Sequence, residues 1–223
     1  MKKKNLALFD LDDTLFDGDT EGEWVKYMDQ AGLIQDPEFF NEMESFGKSY
    51  RQGDLNVDEY SEFLLSPLVG KNLKELEDRI DMFTSDVIVR LTDELTEELL
   101  LKHRDDTKIL TSGSLTFLVK VIGQKMGIET CFGTDPEYKD NVFTGKVEGS
   151  PNFSEEKVRR IKIWMQSNHF EKIFAYSDSI HDLPLLEFSD IPSAISPDKK
   201  LLKVAEERKW MVEGRRNTTR SLP

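Results

Sequence analysis

The residues with the most chemical potential in this chain stand together near its start, in Asp10-Leu11-Asp12-Asp13-Thr14. Four apolar residues, Leu6-Ala7-Leu8-Phe9, lead into them and read as a strand buried on both faces. Side chains alternate along an extended chain, so Asp10 and Asp12 point to the same side. Carboxylates held that close repel unless a proton or a cation neutralises them. Mg2+ is the simplest such cation, because it takes oxygen ligands and is commonly held by one or two carboxylates. The plainer alternative is an acidic turn in which Asp13 or Thr14 caps a helix.

Two later stretches repeat the pattern of an apolar run ending in polar groups. Lys108-Ile109-Leu110-Thr111 runs into Ser112-Gly113-Ser114, just before an apolar helix from Leu115 to Met126. A serine hydroxyl and the N–H groups of a helix start can cradle a phosphoryl oxygen; equally, such a serine can be a helix cap followed by a loop glycine. Ile173-Phe174-Ala175-Tyr176 runs into Ser177-Asp178-Ser179-Ile180-His181-Asp182. Between these two, Glu155 to Gln166 reads as a helix carrying Lys157 beside Arg159, Arg160 and Lys162.

Strands that alternate with helices imply a doubly wound parallel sheet, with ligands bound beyond the carboxyl ends of its strands. Such a sheet brings Asp10, Asp12, Ser112, Asp178 and Asp182 to one crevice. Weaker strands are expected at Thr130–Gly133 and Ile191–Ile195, a hairpin at Val142–Val147 with Asp140-Asn141 in its turn, and a helix from Pro197 to about Arg208. The segment after Leu15 is different. Four amphipathic helices follow without a strand, carrying Trp24, Phe39, Phe40, Phe46 and Phe63 as their core, and they read as a small bundle inserted into the fold. The boundaries expected are residues 1–15 and 85–223 for the α/β core and 16–84 for a helical cap. A further helix is expected from Ser85 to about His103, and the polar tail from Gly214 to Pro223 is expected to fray.

The chain has 223 residues, 38% hydrophobic and 33% charged, with a net charge of -13. That composition fits a folded core and disfavours nucleic acid or an anionic membrane as partner. The single Cys131 allows no internal disulfide, and with no transmembrane-length apolar run it points to the cytoplasm. Gly47-Lys48-Ser49 lacks the earlier glycine of a phosphate loop, since position 42 is Glu42, and His103, His169 and His181 lack zinc-like spacing with cysteine. Oligomeric state is not legible.

Taken together, Asp10-x-Asp12-x-Thr14, Thr111-Ser112-Gly113, Lys157 and Asp178-x-x-x-Asp182 resemble the four motifs of the haloacid dehalogenase-like hydrolases. The resemblance extends from Asn5 to about Arg208 and favours the phosphoserine-phosphatase-like branch, whose helical cap follows the first motif. It implies a Rossmann-like α/β fold and a phosphomonoester of a small metabolite as substrate. It also implies roles: Asp10 as nucleophile, Asp12 as general acid and base, and Lys157 as the neutralising cation. Mg2+ would sit on Asp10, Asp178 and the Asp12 carbonyl, with Thr14 and Asp182 behind them, and Ser112 and Gly113 would hold the phosphate. Dehalogenases of the superfamily lack the second aspartate, so Asp12 favours phosphate chemistry. His181 stands where the family often has asparagine.

In that branch phosphoserine phosphatases grip the substrate carboxylate with a cap arginine after a stretch like Gly53-Asp54-Leu55-Asn56. Counting on from it places Leu64 at that position, and no arginine occurs from Gln52 to Asp78. Asp19 falls where the family has an acid for the substrate ammonium, and Arg51 is a candidate substrate contact. A phosphorylated amino alcohol such as histidinol phosphate is therefore the expected substrate. The alternatives are phosphoserine, phosphoryl transfer to another hydroxyl, or a binding module that has lost the chemistry.

Overall fold

In the computed structural model, which describes residues 4–166 and 168–215, the first strand lies at the centre of the sheet. Strand β1 (Leu6–Phe9) pairs in parallel with β2 (Thr107–Leu115) on one side and with β6 (Ile173–Ser177) on the other. Outward from these lie β3 (Thr130–Thr134), beside β2, and β7 (Ile191–Ile195) and β8 (Met211–Glu213), beside β6. All six strands are parallel, in the order β3-β2-β1-β6-β7-β8. The order reverses direction at β1 and β6, which is where an open parallel sheet forms its crevice.

The apolar run of β1 is divided between two cores. Leu6 and Leu8 face Val158 and Ile161 of α7 (Glu155–Met165), Leu185 and Leu186 of α8 (Leu183–Phe188) and Leu201 of α9 (Lys199–Arg208). Ala7 and Phe9 face the opposite layer, which contains α1 (Thr20–Gln30), α4 (Leu73–Leu91), α5 (Glu94–Lys102) and α6 (Thr116–Lys125). A period of two with apolar residues at every position leaves no face for water, so the strand can only be central.

Helices α2 (Phe39–Gln52) and α3 (Val57–Leu65) complete the inserted segment. A hairpin from the second half of the chain, β4 (Pro136–Lys139) and β5 (Val142–Val147), is stitched to it: Gly70 N–H donates to the Phe143 carbonyl at 3.0 Å, and Phe143 N–H to the Lys71 carbonyl at 2.9 Å. Asp140 and Asn141 turn the hairpin with φ of 54° and 65°, a conformation these short polar side chains tolerate.

Three expectations are corrected. Helix α4 does not stop before Ser85 but runs to Leu91, because its buried residues Leu76, Ile80, Phe83 and Val87 keep helical spacing across that point. The break comes at Asp93, whose side chain caps α5 in a reciprocal pair with Thr96, so a seam at 84 and 85 cuts a continuous helix. Phe40 does not join the aromatic core either. Trp24, Phe39 and Phe63 are buried in one apolar cluster with Phe46 packed against it, and Phe39 and Phe63 stack at 4.2 Å, but Phe40 is exposed; Trp24 packs on Phe83 and also on Phe117 of α6, outside the inserted segment. Lastly, β8 adds an unexpected sixth strand; of the tail expected to fray, Arg215 has a buried side chain, and residues 216–223 lie outside those described. Among the described residues no helix is long and apolar enough to cross a membrane.

Trp24 is the clamp between α1, α4 and α6. Trp24→Ala should lower stability by about 3–5 kcal/mol, the usual cost of deleting a large buried aromatic. Urea denaturation checks this, and a loss below about 1 kcal/mol would mean that α1 is held by other contacts.

Candidate active site

Beyond Phe9 the ladder continues for one residue, with Asp10 N–H donating to the Tyr176 carbonyl at 3.1 Å. The chain then curls sharply: Asp13 takes a φ of 53°, and Phe16 N–H returns to the Leu11 carbonyl at 2.9 Å. This turn brings Thr14 against the loop after β6. The Thr14 hydroxyl donates to Asp178 Oδ1 at 3.0 Å and accepts the Asp178 N–H at 2.9 Å. One residue thus fixes the relative position of the two acidic loops.

Lys157 reaches the crevice from the first turn of α7. Its Nζ lies 2.7 Å from Asp10 Oδ1 and 2.8 Å from Asp182 Oδ2, and all three side chains are buried. The Ser177 hydroxyl adds a 2.8 Å bond to the same Asp182 oxygen. Burial works against the lysine charge, but Asp10 and Asp182 outweigh it and hold Lys157 above the ordinary lysine range. Burial pushes Asp10 up to about 7, with Asp182 and Asp12 adding to the push and Lys157 opposing it. Asp178 is raised well above the carboxylate range by burial and by the charges of Asp10 and Asp13.

Asp12 is the most heavily bonded of the group. Its Oδ1 accepts the Thr20 N–H at 2.6 Å, and its Oδ2 accepts the hydroxyls of Ser112 at 3.0 Å and Ser114 at 2.9 Å. Pairing between β2 and β3 slips between Thr111 and Leu115, which bends the serine stretch toward the crevice. Fully buried Asn152 pins that bend from behind, donating to the Ser112 carbonyl at 2.9 Å and to the Thr111 hydroxyl at 3.0 Å. Ser112 therefore lies where expected, though its hydroxyl serves Asp12.

These groups, with Gly113, line a cavity of about 360 Å³. Met43, Phe46, Tyr50 and Arg51 of α2 and Tyr60 and Ser61 of α3 line it too, with Arg51 exposed at the rim. His181 sits between the rings of Tyr50 and Phe153, at 4.9 and 5.0 Å, and the Tyr50 hydroxyl lies 3.1 Å from Ser179 Oγ. Asp19 lines the cavity while capping α1 through the N–H groups of Glu21 and Gly22.

The residue that sequence reasoning missed is Glu21. It lines the cavity beside Asp19, and its Oε2 accepts the Tyr60 hydroxyl at 3.0 Å. Burial, then Asp19, then Asp12 push Glu21 up to about 8, and the Asp12 charge also raises Asp19, which is exposed. Leu64, the position reached by counting along α3, is buried in the apolar core, and Tyr60 one turn earlier lines the cavity. Ser114 was legible as part of a Ser-Gly-Ser stretch. Asn152, a lone loop residue forty positions away, carried no signal.

The residues suit a divalent cation. Asp10 is buried and Asp178 half-buried; Asp12 and Asp182 raise the proton affinity of Asp10, and Asp10 raises that of Asp178, the situation that a bound cation relieves. Among the described residues no three carboxylate, histidine or cysteine side chains converge into a closed metal cage. Mg2+ needs none, since two carboxylates, a backbone carbonyl and waters complete its octahedron.

A parallel sheet with a buried lysine between two aspartates at its switch point defines a hydrolase of one α/β class. Residues 7–187 match the haloacid dehalogenase-like hydrolase family, and the chain belongs to it. Among its relatives is a histidinol-phosphatase of Neisseria meningitidis, 32% identical over 94% of this chain and 98% of that protein. A phosphoserine phosphatase of Methanocaldococcus jannaschii is 26% identical over 91% of this chain and 90% of its own. A Bordetella pertussis protein of unknown function superposes with a TM-score of 0.86 at 31% identity, covering 95% of this chain and 99% of that one. A substrate-bound phosphoserine phosphatase shares the fold, with a TM-score of 0.67 at 23% identity over 97% and 96%.

Glu21 generates a pH prediction. Its folded pKa lies above the free value of 4.5, so its stabilising effect is complete below about pH 4.5 and is lost as pH rises through about 8. Glu21→Gln should therefore raise the thermal midpoint at pH 8.5 more than at pH 5, measured without divalent cations. Equal shifts at both pH values would contradict the assigned proton affinity.

Proposed function

We propose that this protein is a Mg2+-dependent phosphomonoester hydrolase acting through an aspartyl-phosphate on a phosphorylated amino alcohol. The observation that carries the reaction is the buried Lys157 bridging Asp10 and Asp182. A lysine held this way orients one aspartate and leaves local positive charge for a phosphate dianion. Asp10, Asp178 and the Asp12 carbonyl would hold Mg2+, which when bound would supply further positive charge for the phosphoryl oxygens.

The Asp10 carboxylate attacks phosphorus, the ester P–O bond breaks, and the leaving oxygen takes a proton from Asp12. Asp12 then takes a proton from water, which attacks phosphorus and releases inorganic phosphate and free Asp10. The hydroxyls around Asp12 suit both halves of this cycle. Ser112 and Ser114 donate to the carboxylate, and a hydroxyl can rotate to accept from the protonated acid. Asp182 and Thr14 position Lys157 and Asp178, and Gly113 with Ser112 forms the wall against the phosphate.

The substrate reading is supported by Asp19 and Glu21, two acidic side chains that line the cavity and that a cationic group would draw into their charged forms. Leucine, valine, tyrosine and serine are the cavity residues from positions 55 to 61, so α3 offers no arginine for a carboxylate. The relationship to a histidinol-phosphatase points the same way. We read α2, α3 and the adjoining turns as a cap over the crevice that excludes water and selects the substrate.

The test is phosphate release from histidinol phosphate and phosphoserine under identical Mg2+. Histidinol phosphate should show the higher kcat/KM by at least about tenfold, equivalent to 1.4 kcal/mol of discrimination. Exhaustive EDTA treatment should abolish turnover of both and Mg2+ should restore it. Preference for phosphoserine would overturn the substrate, and full activity after chelation would overturn the mechanism.

Asp12→Asn should slow hydrolysis of an alkyl phosphate by about 10²–10⁴-fold. The loss should be smaller for p-nitrophenyl phosphate, whose leaving group needs no proton. Equal losses would argue against Asp12 as the acid.

A further inference from the structure

The turn after the nucleophile is held at three successive points, each from a different part of the chain. The Thr96 hydroxyl of α5 donates to the Leu15 carbonyl at 2.6 Å, and Asp17 N–H donates to the Leu91 carbonyl of α4 at 2.8 Å. The third point is Thr14 itself. Its carbonyl accepts Nη2 of Arg215 at 2.5 Å, across 201 residues of sequence.

Arg215 is placed for this contact with some care. Its side chain is only 2% exposed. Nη1 lies 2.6 Å from Asp93 Oδ1 at the start of α5, and Nε lies 3.7 Å from Asp17 Oδ1. Its own N–H donates to Ser196 Oγ at 3.2 Å, just where Ser196 N–H meets the Glu213 carbonyl and closes β7 onto β8. A planar guanidinium can hold a carbonyl and carboxylates in fixed directions at once; an ammonium is a single point charge. The peptide it grips belongs to the residue whose hydroxyl and hydroxyl lone pair fix Asp178.

We propose that Arg215 is a positioning residue of the active site: through the Thr14 carbonyl it fixes the Thr14–Asp178 bond and thereby the cation affinity of the crevice. This rests on the reading of Asp178 as a Mg2+ ligand. Arg215 touches neither substrate nor reacting atoms, so its loss acts on the metal and on kcat rather than on substrate affinity.

The experiment measures Mg2+ binding by calorimetry, with kinetics alongside, for the wild-type chain, Arg215→Ala, Arg215→Lys and Asp93→Asn. Asp93→Asn removes the charge opposite Nη1 while keeping a competent helix cap. Arg215→Ala should weaken Mg2+ binding by about 10–100-fold, the usual effect of losing an outer-shell partner, and lower kcat at fixed Mg2+ with substrate KM within about twofold. Arg215→Lys should recover part of the Mg2+ affinity, and Asp93→Asn should fall between it and the wild type. Circular dichroism at the assay temperature separates these effects from unfolding, and the lysine and Asp93 variants decide the matter if the alanine variant does not fold. Unchanged Mg2+ affinity in the folded variants would overturn the role of Arg215 and leave the phosphatase reading standing. A wild-type chain that neither binds Mg2+ nor releases phosphate would overturn both.

Discussion

Everything in this molecule that concerns chemistry depends on one buried ammonium. Lys157 sits between buried Asp10 and Asp182, and half-buried Asp178 feels the Asp10 charge, so three carboxylates crowd around one fixed positive charge. Removing a charge from water costs several kcal/mol unless a partner compensates it, and one lysine cannot compensate three acids. The resulting deficit pushes Asp10 and Asp178 toward protonation and makes the crevice receptive to a further cation. The serine hydroxyls on Asp12, the Thr14 bond and the Ser177 bond all serve the same end, which is to hold repelling groups still. A site poised in this way does not need to reorganise when a charged transition state forms.

The electrostatics of the cavity are uneven. Asp10 and Asp182 are opposed by Lys157, whereas Asp19 accepts hydrogen bonds from the N–H groups of Glu21 and Gly22, and Glu21 accepts one from the Tyr60 hydroxyl. One group of acids is thus balanced by an ammonium and the other by neutral donors. Arg51, at the exposed rim, is screened by water and weakens this asymmetry little.

How far the sequence foretold this depends on where each signal lay. Asp10, Ser112 and Asp178 were legible because each follows a short apolar run, and a parallel sheet gathers the ends of such runs. The central place of β1 was legible from four apolar residues in a row. The pairing of Glu21 with Tyr60 was not, because it joins two helices 39 residues apart and depends on helix phase, which counting to Leu64 ignored. The continuity of α4 was missed because Ser85 looks like a boundary by itself, whereas the buried spacing on either side overrides it. Arg215 was hidden for a different reason. A basic residue in a polar tail resembles solvated surface until β8 is seen to turn it inward.

The place of β1 in the sheet also has a consequence in time. Leu6 pairs with Thr107 on one side and with Ile173 on the other, so the central strand is made long before either neighbour exists. At a synthesis rate of about 5–20 residues per second, β1 waits roughly ten to thirty seconds for β6. Contacts this distant also carry a large loop-closure penalty, which slows folding of the completed chain. During that interval Leu6-Ala7-Leu8-Phe9 is an unpaired apolar segment of the kind that invites association with other chains. Asp10 is thus synthesised well before the groups that surround it, and the crevice stays incomplete in a nascent chain until the segment through Asp182 has emerged and docked.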